Sequence, residues 1–187
     1  MSTSLAAESR RRTDEQLATL RDRFGAFPTT QTTVVDDHDR FEHGLDQYRA
    51  GFHGSARARV TDDDGQVLLL REATHPDEWH FPGGGNEPGE SLAATARREA
   101  FEEAGVEIEL TGVWVASRTR YVDESDPQRR GSLLDVVFEA RQVGGAVGLY
   151  PERWDTAGDD GLSEEILAVE WFETPPPAAR AVVSDRG

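Results

Sequence analysis

One stretch limits this chain more than any other. Residues 81–91 read Phe-Pro-Gly-Gly-Gly-Asn-Glu-Pro-Gly-Glu-Ser and run straight into Leu-Ala-Ala-Thr-Ala-Arg-Arg-Glu-Ala-Phe-Glu-Glu-Ala-Gly-Val, residues 92–106. Gly83, Gly84 and Gly85 open backbone angles closed to other residues and let the chain approach a ligand closely. The second half predicts a helix over 91–104, stopped by Gly105. At about 100° per residue, Glu99, Glu102 and Glu103 stand at i, i+3 and i+4 and share one face. Ala93, Ala96, Ala100 and Ala104 form a second face, small enough to lie close against a sheet.

Three carboxylates on adjacent turns repel by roughly 0.2–0.5 kcal/mol per exposed pair. A divalent cation removes that repulsion, and carboxylate, water and phosphate oxygens are what magnesium prefers. The helix therefore reads as half of a metal site whose other half is a pyrophosphate. Taken alone, the glutamates also fit a solvated charged face, and the glycines fit an ordinary turn. The register joining them carries the argument. Gly84 is followed by five residues and then Glu90. Seven residues later come Arg98-Glu99-Ala100, one spacer, Glu102-Glu103, one spacer, and Gly105-Val106.

This pattern resembles the Nudix box at every fixed position, with Ala100 as a small occupant of the first apolar slot. The resemblance implies an α/β fold, a Nudix-type α/β/α sandwich with a central mixed β-sheet. It implies hydrolysis of the pyrophosphate bond of a nucleoside diphosphate linked to another moiety, with Mg2+ or Mn2+ as cofactor. By the same resemblance Glu99, Glu102 and Glu103 are the metal ligands, joined by the backbone carbonyl of Gly83. Arg98 and Glu90 resemble a pair that fixes helix to loop, and Gly84 and Gly85 meet the substrate. The chemistry implied is metal-assisted attack by water on phosphorus. The general base varies in the family. Outside the box the candidates are Glu164 and Glu165, with Asp159 and Asp160 nearby. A non-catalytic Nudix-fold sensor of a nucleotide metabolite is the alternative, although sensors usually carry a degenerate box.

Composition narrows the classes further. There is no cysteine, which excludes disulfides and thiolate metal sites. The five histidines are scattered, which argues against zinc. The formal charge is −16, and all 20 Lys+Arg residues are arginine. Such an acidic, lysine-free surface is similar to that of proteins from halophilic archaea, where salt screens self-repulsion. A GC-rich genome is the competing explanation. The surface disfavours sequence-independent nucleic-acid binding. No run approaches the roughly 20 apolar residues of a membrane span, and the first residues lack the apolar core of a signal peptide. A cytoplasmic protein with a nucleotide-type small-molecule substrate is expected, and a homodimer is left open.

Elsewhere the patterning is clear in places. Thr13 and Gln16 have capping-box spacing, predicting a helix from Thr13 to Gly25 with Leu17, Leu20 and Phe24 on one stripe. A second helix is expected over 39–50, with Phe41, Leu45 and Tyr48, ended by Gly51. Alternation at 54–60, the Asp-Asp-Asp-Gly turn at 62–65 and the apolar run 66–70 predict a hairpin. Residues 72–91 read as loop. Strands are expected near 106–117, 132–141 and 166–172, with 142–163 as loop. Trp79 and Phe81 are expected to pack beneath the glycine loop, with base stacking as an alternative for Trp79. Tyr121 is a weak hint of a dinucleoside polyphosphate substrate. The organisation expected is an N-terminal helical extension over 1–50, a Nudix domain over 51–173 and a flexible Pro-rich tail over 174–187.

Overall fold

The structure, a computed structural model, describes residues 4–150 and 166–176. Its frame is a hairpin of two long strands, β5 (Val106–Asp123) and β6 (Arg130–Gly145). They outrun the expected 106–117 and 132–141. In β5 buried positions recur at every second residue from Val106 to Leu110, as expected for a strand with one face on the core. Register shifts between Leu110 and Gly112 and between Val113 and Val115 then interrupt the alternation.

The expected hairpin is present as β2 (Gly54–Thr61) and β3 (Val67–Glu72), and the last strand, β7 (Ile166–Phe172), lies where predicted. Two strands depart from expectation. Gly83–Gly85, read as loop, forms the short strand β4, antiparallel to β2 at Ser55–Arg57. Thr29–Asp36, to which no element was assigned, forms β1, parallel to β5. Its Thr-Thr-Gln-Thr-Thr-Val-Val sequence is rich in β-branched residues. Most of its side chains are exposed, so it lacks the apolar alternation by which buried strands announce themselves. The seven strands form one mixed sheet in the order β1-β5-β6-β2-β3-β7, with β4 beside β2.

Among the described residues three helices flank the sheet. α1 (Leu5–Phe24) begins eight residues before the expected Thr13. Ser4 is the true cap, its side chain accepting from Ala7 N–H, whereas the Thr13 hydroxyl is buried and donates to Arg10 O. The stripe continues upstream through Ser9, whose hydroxyl donates to Leu5 O and accepts from Ser132 N–H of β6. A polar but satisfied stripe is invisible to a search for apolar periodicity. α2 (His38–Ala50) is capped by Asp37 and ends at Gly51. α3 (Leu92–Ala104) ends at Gly105 with φ 74°, as read, and Ser91, expected as its first residue, is its cap.

The larger core cluster joins Leu17 and Leu20 of α1, the alanines of α3, and the inward residues of β2 and β6. Ala96, Ala100 and Ala104 meet a surface that includes Ala56 and Ala58, all with no exposure. Small residues on both sides draw α3 close to β2. That closeness sets the helix beside β4. A smaller cluster of Val67, Leu69, Phe81, Val115 and Val137 is covered by Trp79 and Phe172. Among the described residues no helix is long and apolar enough to cross a membrane.

Candidate active site

The site grows from the contact between β4 and α3. Gly83 N–H donates to Glu103 Oε2 at 2.7 Å. A Cβ on Gly84 would lie 2.6 Å from Glu99 Oε1, so only glycine leaves that carboxylate in place. A Cβ on Gly83, where φ is 152°, would lie 2.3 Å from Ala56 O. The three glycines thus serve different neighbours: β2 at Gly83, Glu99 at Gly84, and the Phe52 ring at Gly85.

Arg98 is the centre of the charge. Its Nη1 lies 2.8 Å from Glu99 Oε1 and 3.0 Å from Glu102 Oε2. Its Nε and Nη2 donate to the two oxygens of Glu90 at 3.2 and 3.1 Å, and Nη2 also donates to Gly85 O at 2.9 Å. Glu87 lies 3.9 Å away. The sequence-expected pair Arg98–Glu90 is therefore a two-toothed clamp that also holds the loop backbone. Burial disfavours the Arg98 charge, but Glu90, Glu99 and Glu102 outweigh it and raise its pKa above that of free arginine. Burial likewise pushes the Glu90 carboxyl up. Hydrogen bonds from Arg98, Glu87 N–H and the Thr95 hydroxyl prevail, and its pKa lies below the ordinary glutamate value.

Four carboxylates thus meet one guanidinium, with Glu103 beside them. Glu99 and Glu103 are more than nine-tenths buried, while the Glu102 side chain is 36% exposed. The donor set is chemically suited to a hard divalent cation, being all carboxylate oxygen. Among the described residues no three His, Cys, Asp or Glu side chains converge on a common point. Glu99 and Glu102 turn to Arg98, and Glu103 turns to Gly83 N–H. Shared coordination by all three requires Glu99 and Glu102 to turn from Arg98. The general-base candidates Glu164 and Glu165, with Asp159 and Asp160, lie outside the described residues, as do residues 177–187 of the expected tail.

Two contributors were not read from the sequence. Asn86 is buried and binds on three sides. Its N–H donates to Gly54 O, its Oδ1 accepts from His53 N–H, and its Nδ2 donates to Gly51 O. It thereby fastens the loop to the chain entering β2. Beside it, Phe41, Tyr48, Phe52 and Tyr121 line a cavity of about 250 Å³. Burial, with Asp135 and Asp36 nearby, raises the Tyr121 pKa, and the Tyr48 hydroxyl is buried without a hydrogen-bond partner among the described residues. The signal available was the aromatic spacing on α2, which reads equally as core. Trp79 does not face this cavity. It stacks edge-on against Phe172 at 4.8 Å, and Phe81 against Trp114 at 5.6 Å.

Comparison with known proteins follows the same residues. The family model described as the NUDIX domain matches residues 51–177. The Homo sapiens protein "Diphosphoinositol polyphosphate phosphohydrolase NUDT4B" is 44% identical over 110 residues, 59% of this chain and 54% of that protein. The Bos taurus protein "Diphosphoinositol polyphosphate phosphohydrolase 3-beta" is 46% identical over 50 residues, 27% of this chain and 30% of that one. The chain thus spans about half, or less, of the length of these relatives. A solved NUDIX hydrolase from Nitrosomonas europaea is similar at 22% identity with a TM-score of 0.45, covering 70% of this chain and 65% of that chain. With its domain matched over most of its length and its box residues gathered around one arginine, the chain belongs to the Nudix family.

Proposed function

We propose that this protein hydrolyses the pyrophosphate bond of a nucleoside diphosphate linked to another moiety, with a divalent cation held by Glu99, Glu102 and Glu103. The observation that carries the reading is the surplus of carboxylates around Arg98, set against a backbone strand of three glycines. Divalent metal use is general among Nudix hydrolases. Bound here, Mg2+ or Mn2+ would supply neutralisation of the diphosphate charge and a more acidic water.

The chain's own residues do the positioning. Gly83 N–H fixes Glu103, and Arg98 fixes the loop through Gly85 O and Glu90. Glu102, the most exposed of the three, is the carboxylate most open to solvent. The aromatic cavity beside Gly85 supports a planar group on the substrate. At about 250 Å³ it is smaller than the roughly 300–1,000 Å³ clefts that enclose whole drug-sized ligands. It has room for one ring system. The relatives' names refer to a phosphorylated inositol, so that class belongs in the assay beside the nucleotides.

The test is a panel of nucleoside diphosphate sugars, dinucleoside polyphosphates and diphosphoinositol polyphosphates, in high salt with Mg2+ or Mn2+. Release of phosphorylated products, lost in folded Glu102→Gln, is the expected result. No product from any member with folded protein overturns the proposal. Turnover confined to diphosphoinositol polyphosphates keeps the chemistry and removes the nucleoside.

A further inference from the structure

The chain carries 36 acidic residues against 20 arginines, yet one groove reverses that balance. Arg10 of α1, Arg118 and Arg120 of β5, and Arg130 of β6 line a groove of about 590 Å³, and among the described residues no acid lines it. Arg118 and Arg120 are two apart on a strand and so emerge on one face. The wall between them and Arg130 includes Ser4, Ala6 and Ala7, the first turn of the 20-residue α1. That turn is the positive end of the helix dipole.

Internal pairing accounts for little of this charge. A single carboxylate, Asp14, is shared by Arg10 at 4.0 Å and by Arg118. Arg120 donates to the neutral Thr33 hydroxyl. The Arg130 side chain makes no hydrogen bond or ion pair among the described residues. The Nε of Arg118 is buried without a hydrogen-bond partner among the described residues. An adjoining cleft shares Ser4, Ala6 and Arg130 and adds Arg12, Arg49 and Arg129, with Glu8 as its one acid. The Nε of Arg12, too, is buried without a hydrogen-bond partner among the described residues. Like charges gathered so closely repel unless an anion lies among them.

We infer that the groove lined by Arg10, Arg118, Arg120 and Arg130 is a binding site for a compact oligophosphate, a small molecule bearing several phosphate groups. Guanidinium forks match phosphate oxygens two at a time, and a helix N-terminus adds backbone N–H donors. Several cations spread along one groove match several phosphates rather than one. A long polyanion would leave the groove and meet the surrounding acidic surface, whereas a compact one meets only arginines. None of Gly83–Gly85, Glu90 or Arg98–Glu103 lines this groove. Gly131 and Ser132 line both this groove and the aromatic cavity, so the two adjoin, but the inference does not rest on the hydrolytic reading.

Calorimetric titration of the full chain with inorganic tripolyphosphate, in EDTA at fixed salt, tests it. Saturable binding is expected. The triple variant Arg10→Gln/Arg120→Gln/Arg130→Gln, whose side chains are all exposed, should weaken it by about tenfold or more. Glu102→Gln should leave it unchanged, and Arg130→Lys should retain most of it. Melting curves in the same buffer check the fold. If the triple variant melts, the single Arg130→Gln carries the test, with a smaller but measurable loss expected. No binding by the wild-type chain overturns the inference. So does equal binding by the arginine variants, or tighter binding of a single-stranded oligonucleotide than of tripolyphosphate.

Discussion

Among the described residues two arginines, Arg98 and Arg129, gather several carboxylates, and their surroundings differ in balance. Arg129 ties α2 to the β5–β6 hairpin. It donates to Asp123 Oδ2 at 2.9 Å and pairs with Glu42. His38 Nδ1 lies 2.9 Å from the same Asp123 oxygen, and the Ser125 hydroxyl and N–H donate to the other. Two carboxylates there face two bases and two neutral donors, so the cluster is closed. Arg98 instead faces Glu87, Glu90, Glu99 and Glu102, with Glu103 beside them. The first cluster is a latch that needs nothing further. The second gathers more carboxylates than its one guanidinium balances, and such charge in a partly buried setting favours a further cation.

Removing one carboxylate from the surplus cluster should break function with the fold intact. Glu102→Gln is expected to lower hydrolysis by roughly 100-fold or more, measured as kcat/KM beside an unchanged circular dichroism spectrum. Wild-type turnover in the folded variant would place the chemistry elsewhere. Gly84→Ala should act more gently. Its Cβ collides with the end of the flexible Glu99 side chain rather than with backbone, so the carboxylate shifts and the fold stays. A loss of about 10- to 100-fold in activity is expected, with a small change in melting temperature. A large fall in melting temperature instead would mean that Gly84 serves packing.

Much of the Arg98 cluster was legible because it is local. Gly84, Glu90, Arg98, Glu99, Glu102 and Glu103 lie within 20 residues, and helical geometry alone puts three of them on one face. The helix ends at Gly51 and Gly105 were legible for the same reason. The Arg129 latch was not. It joins His38 and Glu42 to Asp123 and Arg129, more than 80 residues apart, and no periodicity links such positions. Strand β1 escaped because its exposed threonines show no buried face. The first two turns of α1 escaped because Ser9 and Thr13 occupy its stripe where apolar residues were sought. The arginine groove is likewise built from three separate elements, and only folding brings its charges together.

The comparison also predicts responses to solvent. A halophilic origin remains our reading of the acidic, lysine-free surface. On that reading the melting temperature rises between about 0.1 M and 2 M potassium chloride, first by screening and then by salt exclusion that strengthens apolar burial. A flat or falling curve favours genome composition instead. The latch supplies a smaller, pH-linked effect. The hydrogen bond to Asp123 raises the His38 pKa above its ordinary value of 6.5. A raised histidine stabilises fully below the unfolded value and loses that contribution as pH rises through the folded one. Stability should therefore decline modestly on going from slightly acidic to alkaline pH, and the decline should shrink in Asp123→Asn. An unchanged slope in that variant would assign the effect to another group.

The most direct test of the central claim, that the carboxylates around Arg98 await a divalent cation, is a thermal melt in fixed high salt with either EDTA or Mg2+. A ligand that binds only the native state at a hundredfold excess over Kd adds about 2.7 kcal/mol. The account predicts a higher melting temperature with Mg2+ for the wild-type chain and most of that gain lost in Glu102→Gln. Identical melting with EDTA and with Mg2+ would contradict it.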